Sequence, residues 1–306
     1  MLEVAIMIEG QDGIDWRRWQ RLVQTVEGLG YAGLFRSDHF TNPTGPVLDA
    51  LELWSSLTWL ADNTSRIEFG PLVSPVSFRH PVITAWQASA VDNLAGGGRL
   101  RLGIGAGWQE REHETYGFDL LDTDRRFARF EEALQVVILL LQSDEPVSFD
   151  GEFYRLRDAA LMPRSPRPGG PPIVIGGNGP RRTLPLAARY ADEWNAVLVT
   201  SERFIELDAR LDELLQEVGR PPEQVRRTLM TRAVSGRSTA DVERKLAGQS
   251  ADELRGRGAI VGTAPEVAEQ LGRLEEAGVQ RVMLQWLETD DIDGLEAMAQ
   301  TVLPQL

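Results

Sequence analysis

The 306-residue chain contains no cysteine, which removes disulfides, thiolate nucleophiles and cysteine-held metals from its chemistry. Histidine is scarce: His39, His80 and His113 are the three present. No H-E-x-x-H arrangement occurs, so no metal site is expected. Lysine occurs once, at Lys245, so the other 31 of the 32 basic residues are arginine. Positive charge is in deficit, with 46 acidic residues, a net charge of −14 and a pI near 4.8. Such a field repels phosphate backbones and anionic lipid, so neither a nucleic-acid nor a membrane partner is expected. An anionic ligand would have to be held locally, by backbone N–H groups or single arginines. No apolar run approaches the roughly 20 residues of a membrane span. The first residues begin directly as a strand, without the basic and apolar segments of a secretory signal. A soluble, cytoplasmic protein is expected.

What is present is a strict alternation. Residues 4–8 form a continuous apolar run, as in a strand buried on both faces. Asp15 then opens a helical pattern through Trp16, Trp19, Leu22, Val23, Val26 and Leu29, closed by Gly30. Further strands are predicted at 33–36, 67–73, 100–106, 173–175, 193–198, 228–234 and 279–286. Helices between them include one capped by Asp49 and one with Pro81 in its first turn. Others span about 124–142, 180–190, 202–218, 239–247 and 251–255. The next is opened by the capping box Thr263-Ala264-Pro265-Glu266, and the last lies near 292–303. A hairpin is predicted at 147–154. Trp54, Trp59, Trp86 and Trp194 fit core positions. Eight strands, each followed by a helix, predict an α/β fold: a (β/α)8 TIM barrel with insertions after strands 4 and 7. A doubly wound open sheet is the alternative. Without a repeat or a linker, residues 1–306 are expected to form a single domain.

Three stretches can carry chemistry. Asp38 and His39 stand side by side at the carboxyl end of strand two, where barrels place their active sites. A histidine there suits proton or hydride chemistry near neutral pH; alternatively, the pair satisfies backbone groups of the following loop. Gly103, Gly105 and Gly107 precede Trp108 at the end of strand four. Their spacing departs from the dinucleotide fingerprint; glycine there could let a flat ligand lie against the backbone. The third stretch is Gly176-Gly177-Asn178-Gly179-Pro180-Arg181-Arg182, where free N–H groups, a helix start and two arginines offer an anion site. The acidic run Glu110-Arg111-Glu112-His113-Glu114 reads as structural or solvated.

These motifs, in this order, resemble the bacterial luciferase-like superfamily, in particular its branch dependent on the deazaflavin coenzyme F420. The residues that carry the resemblance are Ser37-Asp38-His39-Phe40, Leu72-Val73-Ser74-Pro75, Arg79-His80-Pro81, Gly103-x-Gly105-x-Gly107-Trp108, Gly176-Gly177-Asn178-Gly179, Ala191-Asp192-Glu193-Trp194-Asn195 and Gly262-Thr263-Ala264-Pro265-Glu266. The resemblance implies hydride transfer between F420, or alternatively FMN, and a small-molecule substrate. His39 and Asp38 would be the catalytic pair. Val73, Ser74, Gly105, Gly107, Trp108 and Gln109 would line the ring, and Gly176, Gly177, Asn178, Gly179 and Arg181 would hold the phosphate. It further implies a non-prolyl cis peptide near residues 72–74, a homodimer, and a reductase or dehydrogenase that supplies reduced cofactor. A two-component FMN monooxygenase and a non-catalytic flavin-binding protein are the alternatives. Trp108 stands where the family's sugar-phosphate dehydrogenases have an acid, and Gln109 where many relatives have asparagine.

Overall fold

The computed structural model describes residues 1–305, in which buried apolar runs and amphipathic stretches alternate along the whole chain. Strand β1 (Glu3–Ile8) leads to helix α1 (Trp16–Leu29), and β2 (Gly33–Arg36) to α2 (Leu53–Asn63). The strands β3 (Glu68–Pro71) and β4 (Ser74–Pro75) lead to α3 (Pro81–Leu94). After β5 (Leu102–Gly105) comes the first insertion, with α4 (Glu110–Tyr116), α5 (Thr123–Gln142) and the antiparallel hairpin β6 (Val147–Asp150) and β7 (Arg155–Ala159). Then follow β8 (Ile173–Gly176), α6 (Thr183–Tyr190), β9 (Glu193–Val197) and α7 (Ser201–Glu217). Strand β10 (Arg226–Gly236) opens the second insertion, α8 (Thr239–Leu246), α9 (Ala251–Gly256) and β11 (Ile260–Thr263). The chain continues through α10 (Ala264–Glu276), β12 (Arg281–Gln285) and α11 (Ile292–Thr301). Among the described residues, no helix is long and apolar enough to cross a membrane.

Two compact units, each discontinuous in sequence, make up the chain. The first comprises Met1–Glu9, Arg17–Phe35 and Gly176–Leu306. In it β12 pairs in parallel with β1 (Ala5 opposite Met283) and with β10 (Met230 opposite Met283), and β10 pairs in parallel with β9. Ile6, Met7 and Ile8 are buried, as the unbroken apolar run requires, and the Trp194 and Phe204 rings stack at 5.4 Å. The second unit comprises Gly10–Trp16 and Arg36–Ile175. There β5 lies in parallel with both β4 and β8.

Several local expectations need correction. Helix α2 is capped by Glu52, whose carboxylate accepts from Ser55 N at 2.7 Å, and not by Asp49. The reason lies just upstream: Leu51 N donates to Ile14 O and Ala50 bridges Ile14, so residues 50–51 are held extended. Helix α6 begins at Thr183, three residues after Pro180, because Gly179 O accepts both Thr183 N and Leu184 N and closes a turn there. The hairpin's second strand starts at Arg155, and β11 has no counterpart among the expected strands. Trp86 is exposed: α3 buries Thr84, Ala85, Ala88 and Ser89, which turns Ile83, Trp86 and Leu94 to the outside. Strand three breaks at the cis peptide Leu72–Val73, in the place the resemblance implied. The capping box at Thr263 and Glu266 is formed.

Candidate active site

Strand β2 is buried along its whole length and delivers Ser37, Asp38 and His39 at its carboxyl end. Asp38 is 4% exposed, and its carboxylate turns toward the segment after the cis peptide. Oδ2 accepts from Ser74 Oγ at 2.7 Å and pairs with Arg79 Nη1, while Arg79 Nη2 reaches Oδ1 at 3.4 Å. Arg79 also donates to Glu52 Oε1 at 2.9 Å. Burial alone would lower the Arg79 pKa, but the two carboxylates outweigh it and raise it, so the guanidinium stays charged. Asp38 therefore fixes Ser74 and the strand-three bulge to the end of β2.

His39 turns to a different partner. Its Nδ1 lies 2.8 Å from Glu112 Oε1, and the other carboxylate oxygen of Glu112 accepts Phe40 N at 3.1 Å. The Glu112 side chain is 1% exposed against 16% for His39. An ionised carboxylate only accepts, so Nδ1 carries the proton in this contact. Sequence reasoning missed Glu112, because an acidic run of five residues looks solvated. The available signal was phase: on a helix, Gln109, Glu112 and His113 share one face, and all three are buried. His113 sits under them, with Nδ1 2.6 Å from Gln109 O and Nε2 2.8 Å from Ser77 Oγ. Gln109 Nε2 donates to Thr41 O at 2.8 Å and packs 3.2 Å from His39 Nδ1.

The glycines after β5 are explained by packing inside the protein. A Cβ on Gly105 would lie 2.5 Å from Val73 Cγ2, and one on Gly107 would lie 2.9 Å from Ser77 Oγ, at a φ of +85°. They let the Val73–Ser74 bulge and the histidine layer approach the strand. Trp108 is 60% exposed and meets the His39 ring edge-on at 5.7 Å between centroids. Thus His39, Asp38, Val73, Ser74, Gly105, Gly107, Trp108 and Gln109 come together in the second unit.

The turn 176–182 belongs to the first unit. Gly177 N is spent on Asn195 O at 2.9 Å, and Trp194 Nε1 donates to Gly177 O. Asn178 is clamped at both ends of its amide: Nδ2 donates to Val197 O, and Oδ1 accepts Val197 N. A Cβ on Gly179 would lie 2.9 Å from Thr183 Oγ1. Pro180, Arg181 and Arg182 are exposed. The expected row of free N–H groups is thus shortened: Gly177 N is already spent and α6 starts only at Thr183, with Arg181 exposed beside the turn.

A family model for luciferase-like monooxygenases matches residues 3–255. The chain belongs to the luciferase-like monooxygenase family. Among curated members, this luciferase-like chain is 34% identical over 213 residues to an F420-dependent glucose-6-phosphate dehydrogenase of Kineococcus radiotolerans (67% of this chain, 60% of that protein). It is 32% identical over 188 residues to the 4-hydroxyprotoasukamycin monooxygenase of Streptomyces nodosus subsp. asukaensis (61% and 48%). It thus spans less than two thirds of either relative. A solved F420-dependent secondary alcohol dehydrogenase, in complex with an F420-acetone adduct, superposes with a TM-score of 0.87 at 19% identity, over 99% of this chain and 98% of that one. That likeness shows the fold, a (β/α)8 barrel of the luciferase-like type.

Proposed function

We propose that this protein is an oxidoreductase that transfers a hydride between coenzyme F420 and a small organic substrate, with His39 exchanging the accompanying proton. The observation that carries this is the His39–Glu112 couple: a buried carboxylate holds Nδ1 and so fixes the orientation of an imidazole at the end of a barrel strand. F420, when bound, supplies the hydride-carrying ring. The residues present fit it: the bulge at Val73 and Ser74, anchored by Asp38, backs a flat ring, and Trp108 walls its open side. Gly176 to Gly179 with Arg181 form the cradle for its phosphate. Asp38 serves as the anchor of that bulge and affects proton exchange through it. The F420-dependent dehydrogenases among the relatives support the cofactor. A second reading, an FMN-dependent monooxygenase fed reduced flavin by a partner reductase, is supported by relatives with monooxygenase names.

The test is a titration with F420 and FMN side by side, on wild type and Arg181→Ala. F420 should bind and FMN bind much more weakly. Loss of Arg181 should cost roughly 1–3 kcal/mol of binding, the scale of a charge-assisted hydrogen bond. Preferential FMN binding moves the protein to the second reading. An unchanged dissociation constant for Arg181→Ala removes the phosphate assignment.

A further inference from the structure

The interior arginines Arg79, Arg227 and Arg281 each face a carboxylate; among the described residues Arg232 does not. Its hydrogen bond among the described residues is from Nη1 to the neutral Gln249 Oε1, at 2.9 Å. Arg232 stands opposite Gln285, the last residue of β12, at the carboxyl-terminal side of the parallel strands in its unit. With Ala233, Ser235, Lys245, Trp286 and Leu287 it lines a small recess. Lys245, the single lysine, is 4% exposed, but its charge is already answered: Nζ pairs with Asp291 Oδ2 at 2.5 Å and donates to Ser235 O at 2.7 Å. Glu288, also on the lining, is exposed, so water screens it. Arg232 is the cation left over.

Among the described residues neither Trp286 Nε1, on a side chain 2% exposed, nor Arg232 Nε has an acceptor, and neither atom is open to the recess. The Arg232 guanidinium, paired among the described residues with a neutral amide oxygen, favours an anionic oxygen. The size of the recess narrows the choice. Its volume is about 30 Å3, room for roughly two water-sized groups. Two oxygens on a planar carbon fit that space, whereas the crowded oxygens of a phosphate do not.

We propose that this recess binds the carboxylate of a small organic acid and so anchors the substrate at the carboxyl ends of β10 and β12. The substrate role rests on the oxidoreductase function proposed above; the binding itself does not. Arg232 supplies the charge-assisted contact, Trp286 the apolar wall, and the Lys245–Asp291 pair holds the far side of the recess in place.

Calorimetric titration of the cofactor-free protein with propionate, propionamide and inorganic phosphate tests it. Propionate should bind saturably and at least tenfold more tightly than either competitor. Arg232→Gln should weaken propionate at least tenfold. Ala233→Leu, which fills the recess and leaves every charge in place, should do the same, and so tests the site even if Arg232→Gln folds poorly. Equal binding of propionamide, phosphate at least as tight, retention in both variants, or no propionate binding each overturns the proposal. F420 is titrated into the same wild-type sample. Failure of F420 alone overturns the cofactor assignment and leaves the recess standing; failure of propionate alone overturns only the recess.

Discussion

Glu112 changes what a substitution at His39 will do. A histidine on a loop edge would be cheap to remove, but here its removal leaves a carboxylate with a 1% exposed side chain short of a donor. His39→Ala should therefore cost about 1–3 kcal/mol of stability, the penalty for an unsatisfied buried polar group. His39→Asn separates the two roles. The asparagine amide nitrogen can stand in for Nδ1 and donate to Glu112, while nothing replaces Nε2. This variant is expected to melt close to wild type and to lose about 10²–10⁴-fold in turnover, the usual worth of a positioned proton donor or acceptor. Thermal melts with steady-state rates decide it. If the His39→Asn variant keeps its turnover, the histidine is structural.

At the scale of the element, the start of α2 joins folding to the site. Glu52 caps the helix through Ser55 N and also pairs with Arg79, which in turn holds Asp38. Burial raises the Glu52 carboxyl pKa, but the Ser55 hydrogen bonds and Arg79 outweigh it and hold it below the ordinary 4.5. A depressed carboxyl stabilises the fold above pH 4.5, and that contribution is lost as pH falls through the folded value. Glu52→Gln should thus lower stability at pH 7 by about 0.5–1 kcal/mol, the low end of a cap effect, since the side chain is 43% exposed. The gap between the two proteins should shrink in melts as pH falls below 4.5; a gap that stays constant with falling pH would mean charge is not the cause. Elements with a strong period were legible in the sequence: β1 from its unbroken apolar run, and α10 from its capping box. Helix α4 was not. It is seven residues long, mostly charged, and its decisive partner lies 73 residues away in sequence. Nor was β11, which exists only because β10 runs on to meet it. The Gly105 and Gly107 positions were visible, but their purpose depended on Val73 and Ser77 across the bulge.

On the scale of the whole molecule, Ile83, Trp86 and Leu94 leave an apolar stripe on the outside of α3. The homodimer implied by the family resemblance is tested on this apolar face. Ile83→Asp combined with Trp86→Ser should convert the protein to monomer in light scattering, without loss of helical content by circular dichroism. A wild type that is monomeric at micromolar concentration, or a variant that stays dimeric, would remove the stripe from that role.

The eleven residues of β10 serve two masters. Arg226 to Arg232 pair with β9 and β12, whereas Ala233 to Gly236 pair with β11 alone. Val234, Val242, Leu246, Ala259 and Val261 then pack as a small core of their own. The insertion is thereby a cassette plugged onto a strand whose lower half is already secured. Replacing the stretch between Gly236 and Ile260 would leave the ladder of 226–232 untouched. Such a replacement would remove Lys245 from the lining of the Arg232 recess, while His39 and Glu112 lie in the other unit and outside the replaced stretch.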